Sequence, residues 1–439
     1  MRTAILRVTI GLITALILAV ASDKAHAIPA FARKYQTACI TCHAMFPRLT
    51  AHGEAFRLNG FRMPEGDELT TKDHPVSLGA DAYKKVFPEA IWPSDIPGMP
   101  PLALRLVTSY SFNTGKGVAA PHSTFAIDEA TLLAAGSLGN SMSFFVGVEH
   151  HDPALDATLE EDKTISTNLD SGVGFFGWLM WSNLFENAVG EHHLNVRFGT
   201  IGKQDLGLPN SRGENKVTAE DYLYVDALET DQGGPGSVGL EINGFGKAWR
   251  YNVGVLNGDG DNNSKNFFAA ASIKIGGQGY DGSGAPVEDM DHVMLPTGFW
   301  RDDSLRVGVF VFRSYLGPEA STFDRYGLDA RWNWKDLALG AGYLRGDNKE
   351  ASEKKNTWFA EAEYFVYPWL LPYVRFEQVT SDAGDAGQGR VVVGSVLLAR
   401  ANVKFNLEGT FYTKNEPAVA AAESKSSANH LLATLDFAF

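Results

Sequence analysis

From about residue 102 onward, apolar and polar side chains alternate within segments of roughly ten residues, and few architectures accept such a pattern. Successive side chains of a strand point to opposite faces, so each segment has one apolar face and one polar face. Leu194, Val196 and Phe198 alternate with Asn195, Arg197 and Gly199, and Val238, Leu240 and Ile242 with Gly239, Glu241 and Asn243. Tyr326, Leu328, Ala330 and Trp332 alternate with Arg325, Gly327, Asp329 and Arg331, and Val374 and Phe376 with Arg375 and Glu377. Strands are expected to begin near 102, 124, 141, 172, 193, 237, 248, 267, 304, 322, 336, 357, 369, 390, 401 and 430, an even set of sixteen. The connections between them alternate too. Those at 136–140, 244–247, 333–335, 367–368 and 399–400 are tight. Those at 150–170, 202–236, 257–265, 346–355, 380–389 and 413–429 are long, polar and mostly acidic, and are expected to face outward. A soluble sandwich has no reason to alternate short and long connections, whereas an outer-membrane barrel requires it. One connection, 276–303, is long where the alternation calls for a short one. The last segment, with Leu431, Ala433, Leu435, Phe437 and Phe439 on one face, ends on an aromatic residue and looks like the terminal strand of a Gram-negative outer-membrane barrel. The expected fold class is all-β, an antiparallel transmembrane barrel of about sixteen strands over residues 102–439, in the outer membrane.

The start of the chain is an export signal. Arg2 and Arg7 precede an apolar run from Val8 to Val20, and Ala25-His26-Ala27 offers a small-x-small cleavage site. The run is too short to span a bilayer as a helix. Residues 1–27 are therefore expected to be removed. The full chain carries −14, and loss of a segment with Arg2, Arg7 and Lys24 against Asp23 leaves the mature protein near −16. Such a charge argues against nucleic acid as a partner and for the attraction of cations. Residues 88–101, with Pro88, Pro93, Pro97, Pro100 and Pro101, read as a stiff linker between an N-terminal region, 28–87, and the barrel.

Both cysteines of the chain lie in Cys39-Ile40-Thr41-Cys42-His43, so no disulfide framework is on offer. Two thiols three positions apart, followed at once by a histidine, fit the attachment of one covalent haem c, with His43 as an axial ligand of its iron. A zinc site would need further ligands at suitable spacing, and a thioredoxin-like pair would need a βαβ context. Met63 and His52 are the two candidates for the sixth ligand, and each has an ordinary packed or exposed reading beside it. Arg33 and Arg57 are candidates for pairing with propionates, with solvated surface as the other reading.

Ile28-Pro29-Ala30-Phe31-Ala32-Arg33, Cys39–His43, Pro47-x-Leu49, Gly53-x-x-Phe56-Arg57 and Asn59-Gly60-Phe61 together resemble the fused monohaem cytochrome–porins of iron-oxidising bacteria. The local match covers about forty residues, and Gly60-Phe61 stands where that family usually has Gly-Tyr. The resemblance implies a small N-terminal cytochrome c plug at 28–87. It also implies an outer-membrane, oxidoreductase-type electron-transfer function. Extracellular Fe(II) would be the donor, and a periplasmic cytochrome c or copper protein the acceptor. On that expectation the plug folds into the lumen and carries its haem part-way across, while Asp156, Glu160, Glu161, Asp162, Asp259 and Asp261 concentrate Fe(II) near the mouth. Two other readings stay open: a diffusion porin whose haem-bearing segment is a periplasmic appendage, and electron exchange with a different extracellular donor or acceptor.

Overall fold

The computed structural model describes residues 30–64, 66–67, 71, 76–77, 85, 95–96, 101–114, 122–138, 141–150, 173–201, 208–209, 215–223, 237–258, 264–284, 298–316, 321–349, 351–382, 387–414 and 429–438. Among them, sixteen antiparallel strands close into one barrel. They are β1 (Leu102–Asn113), β2 (His122–Leu138), β3 (Met142–His150), β4 (Val173–Trp181), β5 (Asn195–Ile201), β6 (Ser237–Phe245), β7 (Trp249–Asn257) and β8 (Lys265–Gly276). The second half comprises β9 (Ser304–Leu316), β10 (Ser321–Trp334), β11 (Leu337–Asn348), β12 (Glu353–Tyr364), β13 (Leu370–Ser381), β14 (Gln388–Arg400), β15 (Val403–Lys414) and β16 (His430–Ala438). Closure comes from β16 on β1, with His430 opposite Asn113 and Ala438 opposite Arg105. Every strand begins within four residues of its expected start.

The alternation resolves into an inside-out protein. Arg325, Asp329, Arg375 and Glu377 are at most 1 % exposed, while Phe125 and Phe175 on the outer face are about four-fifths exposed, at 82 % and 79 %. Water would reverse this distribution, and hydrocarbon demands it. Trp249, Trp332, Trp334, Tyr364, Tyr367 and Trp369 stand exposed near the ends joined by short turns, forming the aromatic girdle of one membrane interface. The protein is an outer-membrane barrel. Both the start of β1 and the end of β16 lie at the short-turn end, which in such barrels is periplasmic.

Two expectations about connections need correction, and one exception to the alternation finds its reason. The β11–β12 connection spans only 349–352, because the ladder from Leu337–Tyr364 to Asn348–Glu353 extends into the expected loop. The stretch 202–236 is not a purely outward loop. Its described part, 208–209 and 215–223, is buried in the lumen, where Leu208 and Tyr222 pack with Phe268, Phe310, Phe312, Leu344 and Phe359. Arg375 donates to Thr218 Oγ1 at 2.6 Å and to the Glu220 and Asp221 carbonyls at 3.1 and 3.0 Å. The amides of Ala219 and Glu220 donate to Glu408, at 3.0 and 2.9 Å, and that of Leu223 to Glu377, at 2.6 Å. Inward loop groups thus add hydrogen bonds to buried charged strand residues that already pair on the wall, Arg375 with Glu377 at 3.2 Å, Glu377 with Arg390 at 2.8 Å and Glu408 with the Tyr373 hydroxyl at 2.6 Å. The long connection after Gly276 has its reason as well. An added Cβ at Gly282 would lie 2.3 Å from Pro64 Cβ, so the described start of this connection, 277–284, packs onto the N-terminal region.

Among the described residues, no helical domain stands apart from the barrel. The described N-terminal residues form three short helices, α1 (Ala30–Tyr35), α2 (Cys39–Cys42) and α3 (Ala51–Leu58), and a hairpin of His43–Met45 on Arg48–Leu49. A further short helix, α4 (Glu186–Val189), lies between β4 and β5. Residues 1–27, most of the proposed linker 88–101, and Asp156, Glu160, Glu161, Asp162, Asp259 and Asp261 lie outside the described residues.

Candidate functional site

The N-terminal segment is seated in the periplasmic end of the lumen by buried ion pairs. Glu54, on α3, reaches Arg250 of β7 at 2.9 Å and Arg306 of β9 at 3.0 Å. Arg48, in the hairpin, pairs with Glu363 of β12 and donates to Asn333 of β10 at 3.3 Å. Arg62 donates to the Met142 carbonyl, and Lys404 of β15 donates to the Phe46 carbonyl at 2.8 Å. The segment is thus held within the barrel mouth, as the lumen expectation had it, and does not hang below the barrel as in the alternative of a periplasmic appendage; the pocket described next borders the first residues of β1 and the last of β16.

Local sequence explains the fold of this segment. Thr50 caps α3, its Oγ1 accepting from the Gly53 amide at 3.0 Å and donating to the Thr41 carbonyl at 2.9 Å. The Thr50 amide donates to the Cys42 carbonyl at 2.9 Å, laying α3 against α2. Only glycine fits the crossing, since a Cβ on Gly53 would sit 2.0 Å from the Cys42 carbonyl oxygen. After α3, Gly60 and Phe61 both take left-handed conformations, at φ +66° and +60°. The turn brings Phe61 onto Trp178, with ring centroids 5.5 Å apart, and beside Phe31 at 5.0 Å.

Between the segment and the barrel wall lies a cavity of about 270 Å³. Cys39, Cys42 and His43 line it together with Phe31, Tyr35, Phe46, Leu49, Phe56, Phe61 and Met63, and with Leu104, Leu133, Ala135 and Phe145 of the wall. His43 Nδ1–H donates to the Pro47 carbonyl at 3.2 Å, an arrangement that leaves the lone pair on Nε2. Burial pushes the His43 imidazole down to about 4, with the cations Lys404 and Arg105 acting in the same direction, so the ring is neutral at pH 7. Tyr35 donates to Asp67, and burial together with that carboxylate pushes its phenol well up, so it remains a donor at all ordinary pH.

Of the residues singled out from sequence, Cys39, Cys42, His43, Arg57 and Met63 converge on this cavity. Arg33 does not line it and donates instead to the Leu102 carbonyl; His52, although on α3, is also absent from its lining. Sequence reasoning missed Arg105, Lys404 and Asp436, which complete the wall. Arg105 pairs with Asp436 at 2.9 Å and Glu129 at 2.7 Å, and Lys404 with Asp436 at 3.2 Å. Their inward register near the periplasmic end of their strands was the available signal.

The donor set suits a c-type haem: two thiols for thioether bonds, one neutral imidazole, apolar walls for the macrocycle, and cations near enough to meet carboxylates. No protein-family description matches the chain, and no curated protein matches it. Solved structures of outer-membrane proteins are similar over about three quarters of the chain. A Salmonella typhi OmpF in complex with daunomycin aligns at 11 % identity and TM-score 0.46, covering 77 % of this chain and 97 % of that one. A loop-deletion mutant of OmpT, an outer-membrane protein of Vibrio cholerae, aligns at 11 % and 0.48, covering 77 % and 98 %. An anion-selective porin from Comamonas acidovorans also aligns at 11 % and 0.48, covering 77 % and 98 %.

The Fe(II)-oxidising, oxidoreductase reading is corrected by the side chains themselves. Among the described residues, no group of three or more His, Cys, Asp and Glu side chains is gathered so as to hold a metal ion, and the acids expected to concentrate Fe(II) lie outside those residues.

Proposed function

We propose that this chain is a porin-type channel of the outer membrane, its lumen narrowed to small solutes and ions by the inward loop and by the N-terminal segment. The carrying observation is the closed sixteen-stranded barrel with an apolar exterior and a charged interior. Full-length protein reconstituted in planar bilayers is expected to conduct in steps well below those of an unobstructed sixteen-stranded porin measured alongside. Correctly folded, inserted protein that passes no current would remove the channel reading.

The N-terminal segment is further proposed to carry one covalent haem c, bonded through Cys39 and Cys42, with His43 as axial ligand. Met63, which lines the pocket, is the better supported of the two candidates for the sixth ligand, and Arg57, Arg105 and Lys404, which line it too, are the proposed partners of the propionates. When bound, such a group supplies a one-electron redox centre at the periplasmic mouth. Protein made in a host with c-type maturation is expected to stain for haem after denaturing electrophoresis. Cys39→Ser with Cys42→Ser should abolish the stain and leave the barrel's heat-modifiable migration intact. An unstained wild-type band overturns the assignment.

A further inference from the structure

The periplasmic turn between β4 and β5, 182–194, is longer than those at 246–248, 335–336 and 401–402, and it holds α4. Phe185 opens that helical turn, its carbonyl accepting from the Ala188 and Val189 amides at 2.8 and 3.0 Å. Three apolar side chains are thereby gathered within one turn. All three are exposed, Phe185 by 73 % and Val189 by 45 %. The backbone that presents them is constrained. Asn183 and Phe185 take left-handed conformations, at φ +59° and +55°, which a residue as bulky as phenylalanine rarely adopts. Such strain persists only where the surroundings enforce it. Here the Asn183 amide donates to Asn195 Oδ1 at 2.9 Å, the His192 amide to Asn183 Oδ1 at 2.8 Å, and the Leu184 amide to the Leu194 carbonyl at 2.9 Å.

The turn is fastened to the outside of the wall. His193 Nδ1–H donates to the Val189 carbonyl at 2.6 Å, and the His193 ring lies 5.0 Å from that of Trp249. The Tyr251 hydroxyl donates to the His193 carbonyl at 2.9 Å. Trp249 and Tyr251 alternate along β7 with the buried, inward Arg250 and Asn252, so both face lipid. Trp249 belongs to the aromatic girdle, and α4 continues that girdle at the periplasmic end. We propose that α4 is an interfacial anchor, with Phe185, Ala188 and Val189 dipping into the phospholipid leaflet on the periplasmic side. The exposed carboxylates Glu186 and Glu191 beside this face suit a zwitterionic headgroup layer better than an anionic one. The inference goes beyond the channel reading and rests on neither conductance nor the haem, only on the barrel's place in the membrane.

The test is a measurement of depth. Full-length chains with Cys39→Ser and Cys42→Ser receive Phe185→Cys, Val189→Cys or, as the lipid-facing reference, Val253→Cys. Each is spin-labelled and reconstituted in phosphatidylcholine vesicles, with folding checked by heat-modifiable migration. Collisions with oxygen, which concentrates in hydrocarbon, are compared with collisions with a water-soluble nickel complex present on both sides of the membrane. Oxygen is expected to exceed nickel several-fold at 185 and 189, as at 253. Nickel exceeding oxygen at 185 and 189 places this face in water and overturns the inference. Exclusion of both reagents there means that protein covers the face, whether a second copy or a periplasmic partner, and overturns it as well.

Discussion

Glu54→Gln is expected to unseat the N-terminal segment from the lumen while leaving the barrel closed. The wild-type carboxylate lies 2.9 Å from Arg250 and 3.0 Å from Arg306, and all three side chains are buried. Glutamine keeps the volume and removes only the charge, so the two guanidinium groups then face each other across a neutral amide. Arg306 retains a weaker partner in Asp302 at 3.6 Å, and Arg250 keeps its bonds to Ser272 and the Pro209 carbonyl and its place over the Tyr280 ring. Removing one partner from a buried ion pair costs about 3–5 kcal/mol. That is enough to invert a docking equilibrium of ordinary strength, in which each 1.4 kcal/mol is a factor of ten. The sixteen-strand ladder does not run through Glu54, so heat-modifiable migration should be unchanged. Protease added to folded protein is expected to cleave within 30–63 in the variant and to spare the same segment in wild type, and bilayer conductance should rise several-fold. Equal resistance and equal conductance in the two proteins would show that the pairing with Arg250 and Arg306 does not hold the segment.

The barrel was readable in the sequence because its physics is local and repetitive. Arg325, Asp329 and Arg331 alternate with Tyr326, Leu328 and Trp332, and a period of two fixes which side meets lipid whatever the rest of the chain does. Loop direction is a different kind of property. The acids and glycines between 202 and 236 suit an exposed loop, and what draws 208–223 inward is a set of partners far away in sequence: Arg375, Glu377 and Glu408 on β13 and β15. Their own inward register is visible in the sequence, but the buried charge they create, and the backbone groups that add bonds to it, are visible only once the barrel is closed. The pocket divides in the same way. Cys39, Cys42 and His43 announce themselves by spacing, whereas Arg105, Lys404 and Asp436 reach the pocket only because closure brings β16 beside β1. The Fe(II) reading failed for a third reason. It came from a match over about forty residues, and the described residues bring no group of three or more His, Cys, Asp and Glu side chains together to hold a metal ion.

Gly53→Ala is expected to abolish the pocket outright. Helix α3 crosses α2 so closely that the new Cβ would stand 2.0 Å from the Cys42 carbonyl oxygen and 2.9 Å from Cys42 Cα. Both partners are backbone, so no rotamer change relieves the clash. The capping network pins the same approach from the other side, through the Thr50 amide on the Cys42 carbonyl and Thr50 Oγ1 on the Thr41 carbonyl. The cost therefore lies above the about 1–3 kcal/mol of ordinary core overpacking. Relief requires α3 to lift away from Cys39–His43, taking Phe56 and Met63 out of the pocket wall. The comparison substitution is Gly136→Ala on β2, where an added Cβ meets only the Phe144 ring at 3.5 Å, an ordinary contact. Gly53→Ala should lose the haem stain and expose 30–63 to protease, with unchanged barrel migration, whereas Gly136→Ala should match wild type in all three. A Gly53→Ala protein that stains fully and resists protease would mean that the α2–α3 crossing is looser than 2.0 Å allows, and that the pocket is not shaped by it.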